Sequence, residues 1–168
     1  PAEGKTIVDC TLGRAGHASQ IAAKLGNTGQ LIALDVDPKN LEFARQRLSA
    51  QPSSTPATNP QIRLFHANVA ELAEVLAEVG IPKVDGILAD LGISTNQLFD
   101  PAYGLSFGNP GALDMRIDPR IRQSAADLVN SLPEEDLANV LYNLAQERYS
   151  RRIARKIVEA RRISPINS

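Results

Sequence analysis

Four short apolar runs alternate with amphipathic stretches, and this alternation constrains the fold more than any other feature of the chain. The runs are KTIVDCT (5–11), QLIALDV (30–36), IRLFHA (62–67) and VDGILADL (84–91). Each is rich in β-formers and bounded by turn residues, as a strand requires. Between them, residues 16–25 place Ile21, Ala22 and Leu25 at helical spacing, with Gly26 following as a C-terminal glycine. Residues 38–49 open with Asp37 as N-cap and Pro38 at the first helical position, then continue with Leu41, Phe43, Ala44 and Leu48. Residues 69–79 carry Val69, Leu72, Val75, Leu76 and Val79 on one helical face. Strand–helix alternation of this kind predicts an α/β fold, a parallel sheet with right-handed crossovers, ordered 3-2-1-4.

Beyond residue 91 the pattern changes. QPSSTPATNP (51–60) already reads as a polar, mobile loop, and 92–122 is a longer stretch punctuated by Gly and Pro, of the kind that carries function. From Gln123 the chain turns helical. Ser131 and Glu134 have capping-box spacing, followed by a stripe of Leu137, Val140, Leu141 and Leu144. A last helix places Tyr149, Ile153 and Ile157 on one face between cations. The expected division is therefore 1–122, an α/β domain, and 123–168, the start of a helical one. The chain opens just before its first strand and stops in RRISPINS without a terminating feature, as a piece of a longer protein would.

Composition narrows the partners. The net charge of -1 gives the 168-residue chain no overall pull toward nucleic acid, so any basic patch has to be local. No apolar run approaches the ~18 residues of a membrane span, and no secretory signal opens the chain, so a cytoplasmic protein is expected. Cys10, the only cysteine, excludes an internal disulfide, and no set of metal ligands is present.

The first strand runs into a glycine turn, VDCTLGRAGHAS, and then a helix. That order lets backbone N–H groups face a ligand at a helix N-terminus, and Gly13 and Gly16 permit close approach. Asp35 ends the second strand, 22 positions after Gly13, where a carboxylate can accept ribose hydroxyls. Asp90 ends the fourth run. With Asp9 these acids converge outside the carboxyl ends of the strands, where open α/β sheets bind ligands. Asp9 is a poor neighbour for a pyrophosphate but suits a ligand bearing an ammonium and a sulfonium. Ala15 also breaks the G-x-G-x-x-G spacing, so the turn leans toward a methyl donor and away from a nicotinamide dinucleotide.

The strings DCTLGRAGH (9–17), LDVDP (34–38), DGILADLGISTNQL (85–98), LSF (105–107), GALDMRIDP (111–119), QSAAD (123–127) and ERYSRRIARKIV (147–158) occur in that order. Together they resemble the bacterial cytosine-N4 methyltransferases of small-subunit (16S) ribosomal RNA. The resemblance covers nearly the whole chain, and LADLGIS and LDMRIDP carry most of its specificity. It implies an incomplete class I methyltransferase sheet, Rossmann-like, with a helical domain inserted after the fourth strand. It further implies methylation of the exocyclic amine of a cytosine with S-adenosylmethionine as donor. By position, Ala15, Gly16 and His17 fall in the donor-binding turn, Asp35 on the ribose, Val69 against the adenine, and Asp90 and Gln97 among the remaining donor contacts. Two positions depart from the family. Ala15 replaces a glycine, its N–H remaining available if φ is negative. Val69 packs on adenine where an aromatic would stack.

A cytosine amine is a weak nucleophile, so acceptors for its N–H groups and a base for its proton would help. Asp90 with the carbonyls of Leu91 and Gly92 is the catalytic candidate, the alternative being a donor contact alone. Arg116 either pairs with Asp114 or meets RNA. Arg148, Arg151, Arg152 and Arg155 head a cationic run that either solvates a helix face or contacts phosphates. The competing readings are a non-catalytic RNA-binding or donor-binding fragment and a nicotinamide dehydrogenase. An unpaired edge on the fourth strand would favour self-association.

Overall fold

The computed structural model describes residues 1–50, 60–108 and 111–168. The loop reading for 51–60 therefore lies outside the described residues except at Pro60. Two compact units divide the chain, Pro1–Gly92 and Ile93–Ser168.

In the first unit, β1 (Thr6–Asp9), β2 (Gln30–Asp35), β3 (Gln61–His66) and β4 (Gly86–Leu88) form one parallel sheet in the order β3-β2-β1-β4. This is the order read from the alternation. Helices α1 (Gly16–Leu25), α2 (Pro38–Ser49) and α3 (Leu72–Glu78) supply the connections. Successive strand residues point to opposite faces, and β2 shows it. Leu31 and Ala33 pack in a core with Ala18, Ala22 and Leu41, while Ile32 and Leu34 pack in a second core with Val75. Coverage on both sides is what makes β2 a continuous apolar run. Each fully buried aliphatic in it contributes roughly 1.5–3 kcal/mol.

Local chemistry sets the element ends. Asp37 caps α2 by accepting the Lys39 N–H at 2.9 Å, with Pro38 at the first position as expected. The predicted helix over 69–79 is shorter. Asn68 and Glu71 form a capping box around a single 3₁₀ turn, Val69–Glu71, and α3 begins only at Leu72. β4 is also shorter than 84–91, because side chains take over the ladder at both ends. The Asp85 carboxylate accepts the Thr6 N–H at 2.9 Å, and the Asp90 N–H donates to Thr11 Oγ1 at 2.8 Å. Asp90 thus lies beyond the strand rather than in it.

The second unit contains α4 (Thr95–Phe99), α5 (Ala125–Ser131), α6 (Glu134–Ala145) and α7 (Ser150–Arg161). It begins well before residue 123 because the Gly/Pro-rich stretch is tied to the helices by its backbone. Leu113 N–H donates to the Asn167 carbonyl at 2.8 Å, and Ala125 N–H to that of Asp114 at 2.7 Å. Such pairings leave no periodic trace in a sequence. The Ser131–Glu134 capping box does not form. Ser131 Oγ donates to the Asp127 carbonyl at 2.6 Å at the end of α5, and α6 starts after Pro133 without a side-chain cap. The boxes that do form are Ser94–Gln97 and Ser124–Asp127.

The apolar stripes are shifted from those predicted. α6 buries Leu137 and Ala138 and leaves Leu144 81% exposed. α7 buries Ser150, Ala154 and Val158, while Tyr149 and Ile153 stay 53% and 37% exposed. Ala138 and Ala154 let the two helices approach closely, and Leu137 and Ile157 pack beside them in the same core.

Candidate functional site

Because all four strands run the same way, Asp9, Asp35 and the residues that follow β3 and β4 share one edge of the sheet. The turn after β1 is clamped there from both sides. Gly13 N–H donates to Asp35 Oδ2 at 2.7 Å and Leu12 N–H to the Leu34 carbonyl at 2.9 Å, which ties it to β2. Cys10 N–H donates to the Leu88 carbonyl at 2.8 Å, and Thr11 Oγ1 accepts from Asp90, which ties it to β4. Two of the predicted site residues, Asp35 and Asp90, are thus tied to the glycine turn by hydrogen bonds.

Asp9 has no exposure. Its Oδ1 accepts the Thr11 N–H at 3.1 Å, and its Oδ2 is buried without a hydrogen-bond partner among the described residues. An unmatched buried carboxylate oxygen is costly. Desolvation accordingly raises the Asp9 carboxyl above its ordinary 3.8, opposed by the Thr11 N–H and the charge of His17 and reinforced by that of Asp35. Asp35 is raised in the same direction, again chiefly by burial, although Asp37 and Gly13 N–H groups and Asn40 all donate to it. Two buried acids of like charge therefore face the turn, a local field suited to a cation.

Ala15 overturns one expectation. Its φ is +60°, not negative, and its N–H is taken by the Leu12 carbonyl at 2.8 Å, so it does not offer that group to a ligand. Holding an L-residue in this region costs about 1–2 kcal/mol, whereas the buried methyl returns roughly 0.8 kcal/mol. Ala15→Gly should therefore stabilise the chain slightly, by a few tenths to about 1 kcal/mol in urea unfolding. A clear loss of stability would show that the methyl outweighs the strain.

Gly16 and His17 open α1 and are exposed, with first-turn amides that have no partner inside the helix. His17 also lines an open groove of about 500 Å³ with Gln20, Ile21 and Lys24 of α1 and Ile87 and Leu88 of β4. Val69, 40% exposed, begins the turn after β3 on the carboxyl edge. Asp90 is exposed. Gln97 belongs to the second unit, where it is buried and its Oε1 accepts the Ser94 N–H and hydroxyl at 2.9 Å.

The candidate RNA contacts lie in that second unit too. Arg116 is held by Asp114 through Nε at 2.6 Å and Nη2 at 2.8 Å and donates to the Ile121 carbonyl at 3.1 Å. Its guanidinium is a structural pin for the loop. Arg155 reaches Glu134 at 3.5 Å, and Arg148 stands 4.8 Å over the Tyr149 ring. Arg151 and Arg152 are exposed and form no ion pair with any described residue.

The model of the MraW methylase family matches residues 1–168. The chain belongs to that family. The curated protein "Ribosomal RNA small subunit methyltransferase H" of Koribacter versatilis is 48% identical over 95% of this chain and 50% of its own length. Proteins of the same name from Desulfosudis oleivorans and Geobacter sp. strain M21 are each 42% identical, over 99% and 100% of this chain and 51% and 52% of theirs. The chain thus spans about half the length of the curated relatives it matches.

Sequence reasoning missed two positions in this member of the MraW family. Thr11 supplies the hydroxyl that fixes Asp90, and Asn40, buried at the start of α2, donates to Asp35 at 3.4 Å. For Asn40 a signal existed: a polar residue three positions past the N-cap Asp37, directly before the apolar Leu41. Thr11 gave none.

Proposed function

We propose that this chain is the donor-binding part of an S-adenosylmethionine-dependent methyltransferase, with the start of its inserted helical domain, acting on the N4 amine of a cytosine in small-subunit ribosomal RNA. Family membership supports the reaction class, and the names of the relatives support the substrate. The observation that carries the donor is Asp9 Oδ2, a buried carboxylate oxygen without a partner beside the glycine turn. An ammonium group would match it.

The residues present fit the donor. Asp9 would hold the cationic end, and the first-turn amides of Gly16 and His17 would hold the carboxylate. Asp35 would accept the ribose hydroxyls by exchanging its bond to the Gly13 N–H, and Val69 would cover the base. When bound, S-adenosylmethionine supplies a methyl group on a sulfonium. The task left to the chain is to align the acceptor and take its proton. Asp90, whose backbone N–H is fixed by Thr11, is the group we assign to that role. Arg148, Arg151, Arg152 and Arg155 are assigned to the RNA backbone. A ribosomal substrate puts this work in the cytoplasm. Self-association through β4, which has β1 as its neighbour on one side, belongs to the same reading.

A nicotinamide dinucleotide fits less well. The amide of Ala15 is already bonded within the protein, and two buried acids oppose a pyrophosphate. Calorimetric titration tests the choice directly: saturable binding of S-adenosylmethionine and none of NAD is expected. Binding of NAD alone, or of neither, overturns the donor assignment for this chain.

A further inference from the structure

The shifted seam of α7 leaves an unusual face. Tyr149 and Ile153, on the apolar face read from the sequence, line an open groove of about 520 Å³ with Ala160, Ile166 and Ile157, the last of which also packs against the Leu137–Ala138–Ala154 core. Two cations of the same helix, Arg152 and Lys156, and one acid, Glu147, complete the lining. The two cations are four residues apart, about 6 Å along the helix axis, comparable with the step between phosphates on an extended strand. Around them the balance is positive. Glu159 pairs with Lys156 at 2.7 Å and Glu134 with Arg155, Glu147 accepts the Tyr149 N–H at 2.7 Å, and Arg151 and Arg152 have no acidic partner among the described residues.

An apolar floor with one half-exposed aromatic ring and a cationic rim is the chemistry of a single-stranded nucleic-acid groove. The ring stacks a base of any identity while the cations follow the backbone. We infer that this groove seats single-stranded RNA, with an unpaired base against Tyr149 and consecutive phosphates on Arg152 and Lys156. Arg148 already covers one side of the Tyr149 ring, so a base on the other side completes a sandwich. A duplex, whose bases are stacked inward, has nothing to put on the floor. The inference rests on the ribosomal RNA reading and adds where, and in what form, the RNA is held.

The test is fluorescence anisotropy of the full 168-residue chain with a labelled single-stranded RNA and its duplex, across a salt series. The wild type should bind the single strand and bind the duplex more weakly. Tyr149→Leu, which keeps the floor apolar, should weaken single-strand binding about ten-fold with an unchanged salt slope. Arg152→Ala with Lys156→Ala should flatten that slope by about 1.4. Tyr149 lies outside the Leu137–Ala138–Ala154 core, so circular-dichroism melts should match the wild type. Wild-type affinity in Tyr149→Leu with an unchanged slope in the double variant overturns the groove and leaves the RNA reading standing. The same holds if light scattering finds a dimer that Ile153→Asp dissociates without affecting RNA affinity. Failure of the wild type to bind either RNA overturns the RNA reading along with the groove.

Discussion

Asp9→Asn should make the chain more stable and remove its affinity for S-adenosylmethionine. The two effects have one cause. At neutral pH the native state holds a carboxylate whose Oδ2 is buried without a partner. Asparagine keeps an oxygen for the Thr11 N–H, now at 3.1 Å, and replaces the buried charge with an amide group, which is far less costly to desolvate. The sign with pH follows from the direction of the shift. The Asp9 carboxyl is raised above 3.8, so between that value and its native value the folded state holds a proton that the unfolded chain has released. The contribution of Asp9 to stability is therefore greatest below about pH 4 and falls as pH rises through the native value. Each unit of the shift is worth about 1.4 kcal/mol at neutral pH. The gain of Asp9→Asn over wild type should accordingly be near zero in acid and grow toward neutrality in urea unfolding. Donor binding runs the other way. An ammonium is attracted by the charged form, so wild-type affinity should rise over the same pH range, and the variant should lose at least ten-fold at neutral pH by calorimetry. A variant that is stabilised but binds the donor as wild type would remove Asp9 from the site.

What could be read from the sequence was whatever repeats along the chain. The four strands, the helices over 16–25 and 38–49, the parallel order and the acids ending the first two strands all follow from periodicity and turn chemistry, and the structure has them. The MraW family, too, was legible from motif strings. The misses share a different origin. The sign of φ at Ala15 is set by a hydrogen bond to Leu12, and the reach of the second unit back to Ile93 is set by backbone bonds from the 100–122 stretch. Neither has a residue pattern. The seam of α7 failed for a third reason: hydrophobicity ranks Ile153 above Ala154, but the close approach of the two helices takes the alanine. That one misreading hid the groove.

Asp35→Ala should do the opposite of Asp9→Asn to stability while sharing its effect on binding. Both acids are buried and both carboxyls are raised, so from titration alone they look alike. Their partners separate them. Asp35 accepts Gly13 N–H at 2.7 Å and Asp37 N–H at 2.8 Å, and these two bonds hold the glycine turn to the start of α2. Removing the acceptor leaves both amides unmatched at about 1–3 kcal/mol each, partly offset by the buried charge that is also removed. A net loss of about 2–4 kcal/mol is expected, with the turn loosened even where the rest of the sheet survives. A single-point binding control at Asp35 would therefore confuse a broken turn with a missing ligand contact. Asp35→Asn divides the two. Its carbonyl can still serve one amide while its NH₂ opposes the other, so stability should fall by about half as much, and donor binding should weaken without vanishing. If Asp35→Ala unfolds at the wild-type urea midpoint, the clamp between β2 and the turn is dispensable. Asp35 would then be a ligand contact alone, as a reading from the sequence supposed.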